Sequence, residues 1–310
     1  MAETLDGDPP VPGQVAPAGP GIGWIDGMML FTAFLFGSSF PFAKPLMAAM
    51  DPLFYSASRY LLGAVVVFAL LRLRGRRLGL AGADRRLLLL MAAVFAVFQF
   101  GWAFALSRSN ASVGAIFMAT SPVFGALLAS LAGHRMRRVG WVGIALAFAG
   151  VLLVINNSLN GITITLGSLF INALWLVNAM LWAVYIAKSW PLIGALGPAR
   201  MFAWIMLVSG LLMLPVGLWG GLQMNWAEMA PHLWLNYLYT ALITSTFATT
   251  LWNVGMRRLG VTRTMIYMYL VPVFAVGIAV VFLGEAMTPA RSIGGVAVLA
   301  GIWITRRAAS

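Results

Sequence analysis

The 310-residue chain contains no cysteine, which excludes disulfides, thiolate metal sites and a cysteine nucleophile together. Charge is also scarce. Only 9% of residues are charged, with eight carboxylates and two histidines, whereas soluble domains average about 25% charged residues. The HExxH and GxSxG patterns, a carboxylate pair and a histidine cluster are all missing, so neither enzymatic catalysis nor a metal or cofactor is expected. Apolar residues fill the chain instead, at 61% with a mean hydropathy of +0.92. That excess over the usual 45–50% or so is too large for a water-soluble core of this length, and it indicates an all-α, polytopic membrane protein with the lipid bilayer as its solvent.

A helix needs about 20 mostly apolar residues to cross a bilayer. Ten windows satisfy this, near 24–44, 52–71, 86–106, 111–132, 139–156, 168–188, 200–220, 233–256, 261–283 and 290–305. Residues 1–23, rich in Pro, Gly and acids and without a signal-peptide pattern, are expected to form a disordered tail. With the N-terminus inside, sixteen of the 20 basic residues fall on the cytoplasmic side, as the positive-inside rule requires. They include Arg72, Arg74, Arg76, Arg77, Arg85 and Arg86 after the second span, and Arg306 and Arg307 at the end. Lys44, Arg59, Arg108 and Arg291 fall outside that set. Both termini are thus expected in the cytoplasm, with the chain in the cell (inner) membrane. The net charge of +12 then reflects topology and anionic lipid, not nucleic acid.

Internal self-similarity is the most informative pattern. At an offset of 150, Trp102 meets Trp252, Arg108 meets Arg258, Met118 meets Met268, and Pro122-Val123-Phe124 meets Pro272-Val273-Phe274. One residue later Gly143 meets Gly294 and Ala149-Gly150 meets Ala300-Gly301; upstream, Pro52 pairs with Pro198 and Ala57 with Ala203. Each repeat holds five spans, an odd number, so the second must enter the membrane from the opposite side. The expected organisation is a tail at 1–23, a first repeat at 24–156, an external connector at 157–167, a second repeat at 168–305 and a tail at 306–310. Inverted repeats are a signature of secondary transporters that bind cargo at the midplane between the halves.

Two five-helix halves, the FGSSF stretch of the first span, an arginine in the second, SPVF and VPVF in the fourth and ninth, and GEAM after the ninth resemble the drug/metabolite transporter superfamily. Within it the chain is similar to the EamA-type ten-helix exporters over about residues 28–305. Two departures stand out: Gly133-His134 where the pattern has Gly-Glu, kept at Gly284-Glu285, and Phe36 where tryptophan is usual. The resemblance implies export of amino acids, aromatic or otherwise neutral, and related small metabolites. Drugs, lipids or nucleotide-linked sugars are the alternative cargo on the same scaffold, and a polytopic membrane enzyme is a remote one.

A solute path through hydrocarbon needs polar lining. Candidates near the midplane are Ser39, Gln99, Asn178, Thr246 and Tyr267, among other hydroxyls such as Thr244, Ser245 and Thr249. A span serine or threonine equally bonds a carbonyl one turn back or packs helices, whereas the amides of Gln99 and Asn178 demand several partners. Trp102, Trp175, Trp182 and Trp252 lie deep, and Trp175, Asn178 and Trp182 share one face of their helix by spacing. That face reads either as a substrate wall or as a lipid- or core-facing aromatic stripe. Pro122 and Pro272 sit mid-span in equivalent positions and are candidate gating kinks. Arg59, the one basic residue well inside a span, either snorkels to the outer surface or serves as a substrate-carboxylate partner or gate. The acids lie in loops, tails or span ends, which points to facilitated transport by alternating access without proton coupling. The glycines of the fifth and tenth spans suit close packing, in a monomer or a homodimer.

Overall fold

The computed structural model describes residues 23–131, 138–157, 159 and 165–309. The expected tail 1–23 apart from Gly23, the loop carrying His134, most of the connector 157–167, Ser310 and the side chains of Arg306 and Arg307 lie outside the described residues. Among the described residues there is helix but no strand. Eight helices are long and apolar enough to cross a membrane, and Pro289–Thr305 is a shorter apolar helix.

The chain runs through α1 (Trp24–Ala43, continued by Leu46–Ala49), α2 (Pro52–Leu73), α3 (Arg85–Ser107) and α4 (Ala111–Met118 and Ser121–Leu131). It continues through α5 (Arg138–Asn156), α6 (Leu166–Leu196) and α7 (Pro198–Leu222). The composite α8 joins Pro231–Leu238, a π-helical Tyr239–Phe247 and the part of Ala248–Thr264 that precedes Gly260, where the helix is broken (φ +78°, ψ 164°); α9 comprises the residues after Gly260, a 3-10 segment Met265–Leu270 and Val271–Leu283; α10 is Pro289–Ala309. The end of the bundle at which α1 begins is called the near end, and the opposite one the far end.

Helix starts and stops follow local chemistry. Asp51 Oδ1 accepts the free N–H groups of Leu53 and Phe54 at 3.0 and 2.8 Å, and Pro52 occupies the first position of α2, where its missing N–H costs nothing. Asp84 caps α3 in the same way through Arg86 N and Leu87 N. Gly197, with φ +76°, allows the reversal from α6 into α7 that a side chain would strain.

The inverted repeat reappears in the packing. Its two broadest helix–helix interfaces join equivalent helices, α5 with α10 and α2 with α7. The remaining contacts come in matched pairs: α1 packs on α8 and α9 as α6 packs on α3 and α4. Large apolar side chains such as Val281, Phe282, Leu212 and Trp219 stay exposed, because hydrocarbon is the solvent on this surface. The all-α architecture of ten spans in two inverted five-helix repeats is therefore what the sequence predicted.

Along the α5–α10 seam the backbones approach so closely that only glycine fits. A Cβ on Gly150 would stand 2.6 Å from the Gly294 carbonyl oxygen and 2.7 Å from Val298 N. Backbone cannot swing aside, so Gly150→Val is expected to destabilise the protein by about 1–3 kcal/mol, a typical overpacking cost. Gly125→Ala, whose Cβ meets nothing within 4 Å, is the control. Thermal unfolding in detergent compares the two.

Candidate functional site

Three irregular segments of the bundle converge on one place. α4 breaks between Met118 and Ser121, α8 is π-helical through Thr244 and Ser245, and α9 is wound as 3-10 through Met268. Met118, Thr244, Ser245 and Met268 all line a cavity of about 80 Å³ between the two halves. A single water needs roughly 10–15 Å³ in the same measure, so this space holds several. Short π-helical stretches recur at functional sites, and non-helical backbone at membrane depth is tolerated only inside protein or beside a cavity.

The wall is aromatic with a polar stripe. Phe36 and Phe40 come from α1, Tyr60 from α2, Phe95, Phe98 and Trp102 from α3, and Trp182 from α6. They brace one another, with Phe98 and Trp182 rings 5.3 Å apart and Phe40 and Trp102 likewise 5.3 Å. Ser39, Thr244, Ser245 and Thr249 supply hydroxyls.

Arg59 dominates the electrostatics. It is 2% exposed, so the surface-snorkelling alternative is overturned: the side chain is buried, and Arg59 lines the cavity wall. Nη1 donates to Tyr55 Oη at 3.0 Å and Nη2 to Gln99 Oε1 at 2.6 Å. The cation lies 4.6–4.9 Å from the ring centres of Tyr55, Tyr60 and Trp102, within cation–π range. Its Nε is buried without a partner, and among the described residues no carboxylate faces it. Asp51 and Asp84 are engaged elsewhere, as the caps of α2 and α3 already show.

Both ends of the bundle are tied by two further acids. At the near end Asp26 of α1 pairs with Arg263 at 3.1 Å and accepts the Tyr267 hydroxyl of α9. At the far end Glu285, just after α9, accepts Ala111 N at 2.7 Å, Ser112 N at 3.1 Å and Ser112 Oγ at 2.5 Å. That carboxylate satisfies the orphan N–H groups that open α4. Lys44 of α1 reaches the last carbonyls of α3, at Leu106 and Ser107.

Of the residues singled out in the sequence, Ser39, Arg59, Gln99, Trp102 and Trp182 meet at the cavity. Thr244, Ser245 and Thr249, named among the further hydroxyls, line it too, whereas the remaining candidates lie off its wall. Trp175 is fully buried and donates from Nε1 to Ser109 Oγ at 3.0 Å. Asn178 packs on Gly101 of α3 with neither amide atom partnered. Thr246 turns toward Gly63 and bonds Ala241 O at 2.7 Å, and Trp252 stands behind Phe36, 5.6 Å between rings. Tyr267 belongs to the near-end tie. Pro122 and Pro272 each occupy the second position after a break, in Ser121–Leu131 and Val271–Leu283, where proline tolerates the lost N–H. Phe40, Tyr60, Phe95 and Phe98 escaped the sequence reading because phenylalanine and tyrosine are common throughout apolar helices; Tyr60 follows Arg59 directly, and that adjacency was the available signal.

An all-helical bundle of inverted five-helix repeats with a cavity between its halves is the architecture of secondary transporters. Residues 23–156 and 167–307 each match the EamA-like transporter family, and the chain belongs to it. An uncharacterized transporter of Archaeoglobus fulgidus is 26% identical over 282 residues, spanning 90% of this chain and 96% of the relative. A protein of Streptantibioticus cattleyicolor described as a "probable terminal-alkyne amino-acid exporter" is 25% identical over 201 residues, 64% of each chain. A solved crystal structure, 19% identical, superposes with a TM-score of 0.66 over 89% of this chain and 94% of its own, which shows a shared fold.

The near-end tie makes access to the cavity measurable, since the chain has no cysteine of its own. A Ser39→Cys reporter is expected to react several-fold faster with a soluble maleimide once Asp26→Asn removes the ion pair. An unchanged rate means that the tie does not control entry from this end.

Proposed function

We propose that the protein exports amino acids with aromatic or other neutral side chains, and related small metabolites, across the inner membrane by alternating access. The observation that carries this reading is Arg59, a buried guanidinium on the cavity wall that meets no carboxylate among the described residues. A charge removed from water calls for an opposite charge, and the carboxylate of an amino acid supplies it with the bidentate geometry that arginine favours. The ammonium group meets the hydroxyls of Ser39, Thr244 and Thr249 and the faces of the surrounding rings. The side chain rests on Phe36, Phe98 and Met118. The description of the Streptantibioticus cattleyicolor relative as an amino-acid exporter supports the same cargo class.

The near end faces the cytoplasm in this reading, because the arginines between α2 and α3 concentrate there. The units that rock are 24–156 and 168–305, joined by an external connector at 157–167, and the interruptions before Pro122 and Pro272 let α4 and α9 bend. Transport runs down the cargo's own gradient. Arg59 stays protonated throughout, and among the described residues lining the cavity there is no Asp, Glu or His, the groups that usually carry a coupled proton.

Uptake of labelled phenylalanine, threonine and methionine into proteoliposomes, with and without an imposed proton gradient, tests the reading. Saturable uptake indifferent to the proton gradient is expected. Arg59→Gln is expected to weaken apparent affinity roughly tenfold or more, the effect of losing a charge-assisted contact worth about 1.5–3 kcal/mol. Methyl esters of the same amino acids should compete poorly with wild type and equally poorly with the variant. Uptake that requires the proton gradient overturns the facilitative mechanism. No uptake by folded protein moves the cargo to drugs, lipids or nucleotide-linked sugars.

A further inference from the structure

A second cavity, of about 320 Å³, lies outside the central one, among α4, α9 and α10. Its walls are almost wholly apolar: Ala119 from α4, Pro272 and Gly277 from α9, and Gly295 and Leu299 from α10. A Cβ at Gly277 would meet nothing within 4 Å, so the space is open at that position. The neighbouring Val273 and Val296, 54% and 68% exposed, place its mouth on the lipid-facing surface.

One wall residue is charged. Arg291 stands in the first turn of α10, at the far end of the bundle. Its Nε is buried without a hydrogen-bond partner, and Nη1 makes only a long 3.4 Å bond to Ala286 O. No ion pair to it is found among the described residues. The guanidinium thus sits beside the N-terminus of α10, two positive features at one rim. From Arg291 the cavity descends to Leu299, eight residues and roughly 12 Å along the helix, reaching the level of Pro272.

An anion-seeking rim above an apolar shaft that opens sideways into the bilayer matches an amphiphile in shape and charge. We propose that this cavity is a phospholipid site: the phosphodiester of a lipid in the far leaflet binds Arg291, and one acyl chain enters between α9 and α10. The chain tip then rests on Ala119 and Pro272, beside the interruptions of α4 and α9. This site is separate from the central cavity and does not depend on the cargo assigned to it.

Native mass spectrometry of protein released from nanodiscs tests the proposal, with phosphatidylglycerol and diacylglycerol of the same chains as the two probes. Wild type is expected to retain one phosphatidylglycerol per chain and diacylglycerol several-fold less. Arg291→Gln removes the phosphate contact, and Gly277→Leu fills the shaft while leaving the arginine in place. Each is expected to lower phosphatidylglycerol retention several-fold, with thermal unfolding in detergent confirming that both variants are folded. Equal retention by wild type and both variants overturns the site. So does equal retention of diacylglycerol, and so does a loss confined to Arg291→Gln, which marks a surface phosphate contact without a chain in the shaft.

Discussion

Hydrocarbon offers no hydrogen bonds, so every backbone N–H and C=O inside a bilayer must find a partner within the protein. Most of this bundle meets that demand with unbroken α-helix. Among the exceptions are the break after Met118, the π-helical stretch through Thr244 and Ser245, and the 3-10 turn through Met268. Each of these segments contributes a wall residue to the central cavity. The repeat places the breaks of α4 and α9 in equivalent positions. These three irregular segments thus turn part of their length toward the core of the bundle, where protein surrounds it.

The acids are distributed by the same logic. Asp51 and Asp84 close helix N-termini, Glu285 does so for α4, and Asp26 joins α1 to α9. Each works at a helix end, near water, where a carboxylate is cheap to hold. The buried cation of Arg59 is held instead by a phenol, an amide and three ring faces. Neutral donors of electron density stabilise the guanidinium without neutralising it, and its field therefore extends into the cavity.

Fold and site were legible to different degrees. Span count and inversion follow from hydropathy and from the ordered matches between halves, because both depend on residue spacing along the chain. Placement about a helix axis depends on the neighbours as well. Trp175, Asn178 and Trp182 do share a face of α6, yet only Trp182 reaches the cavity; Asn178 is taken up by the notch at Gly101, and Trp175 by Gly114 and Ser109. Thr246 shows the same effect in α8: π-helical winding shifts its rotation away from that of an α-helix, and it points at Gly63. Gln99 and Arg59 were legible because a long polar side chain deep in a span has few places to go.

The ties at the two ends differ in kind. At the near end, two side chains meet partly in the open, with Arg263 and Asp26 35% and 14% exposed; at the far end, a carboxylate grips backbone N–H groups. Exposed ion pairs weaken as salt rises, whereas backbone partners cannot rotate away. The near-end tie is therefore the salt-sensitive one, and the far-end tie is largely blind to ionic strength.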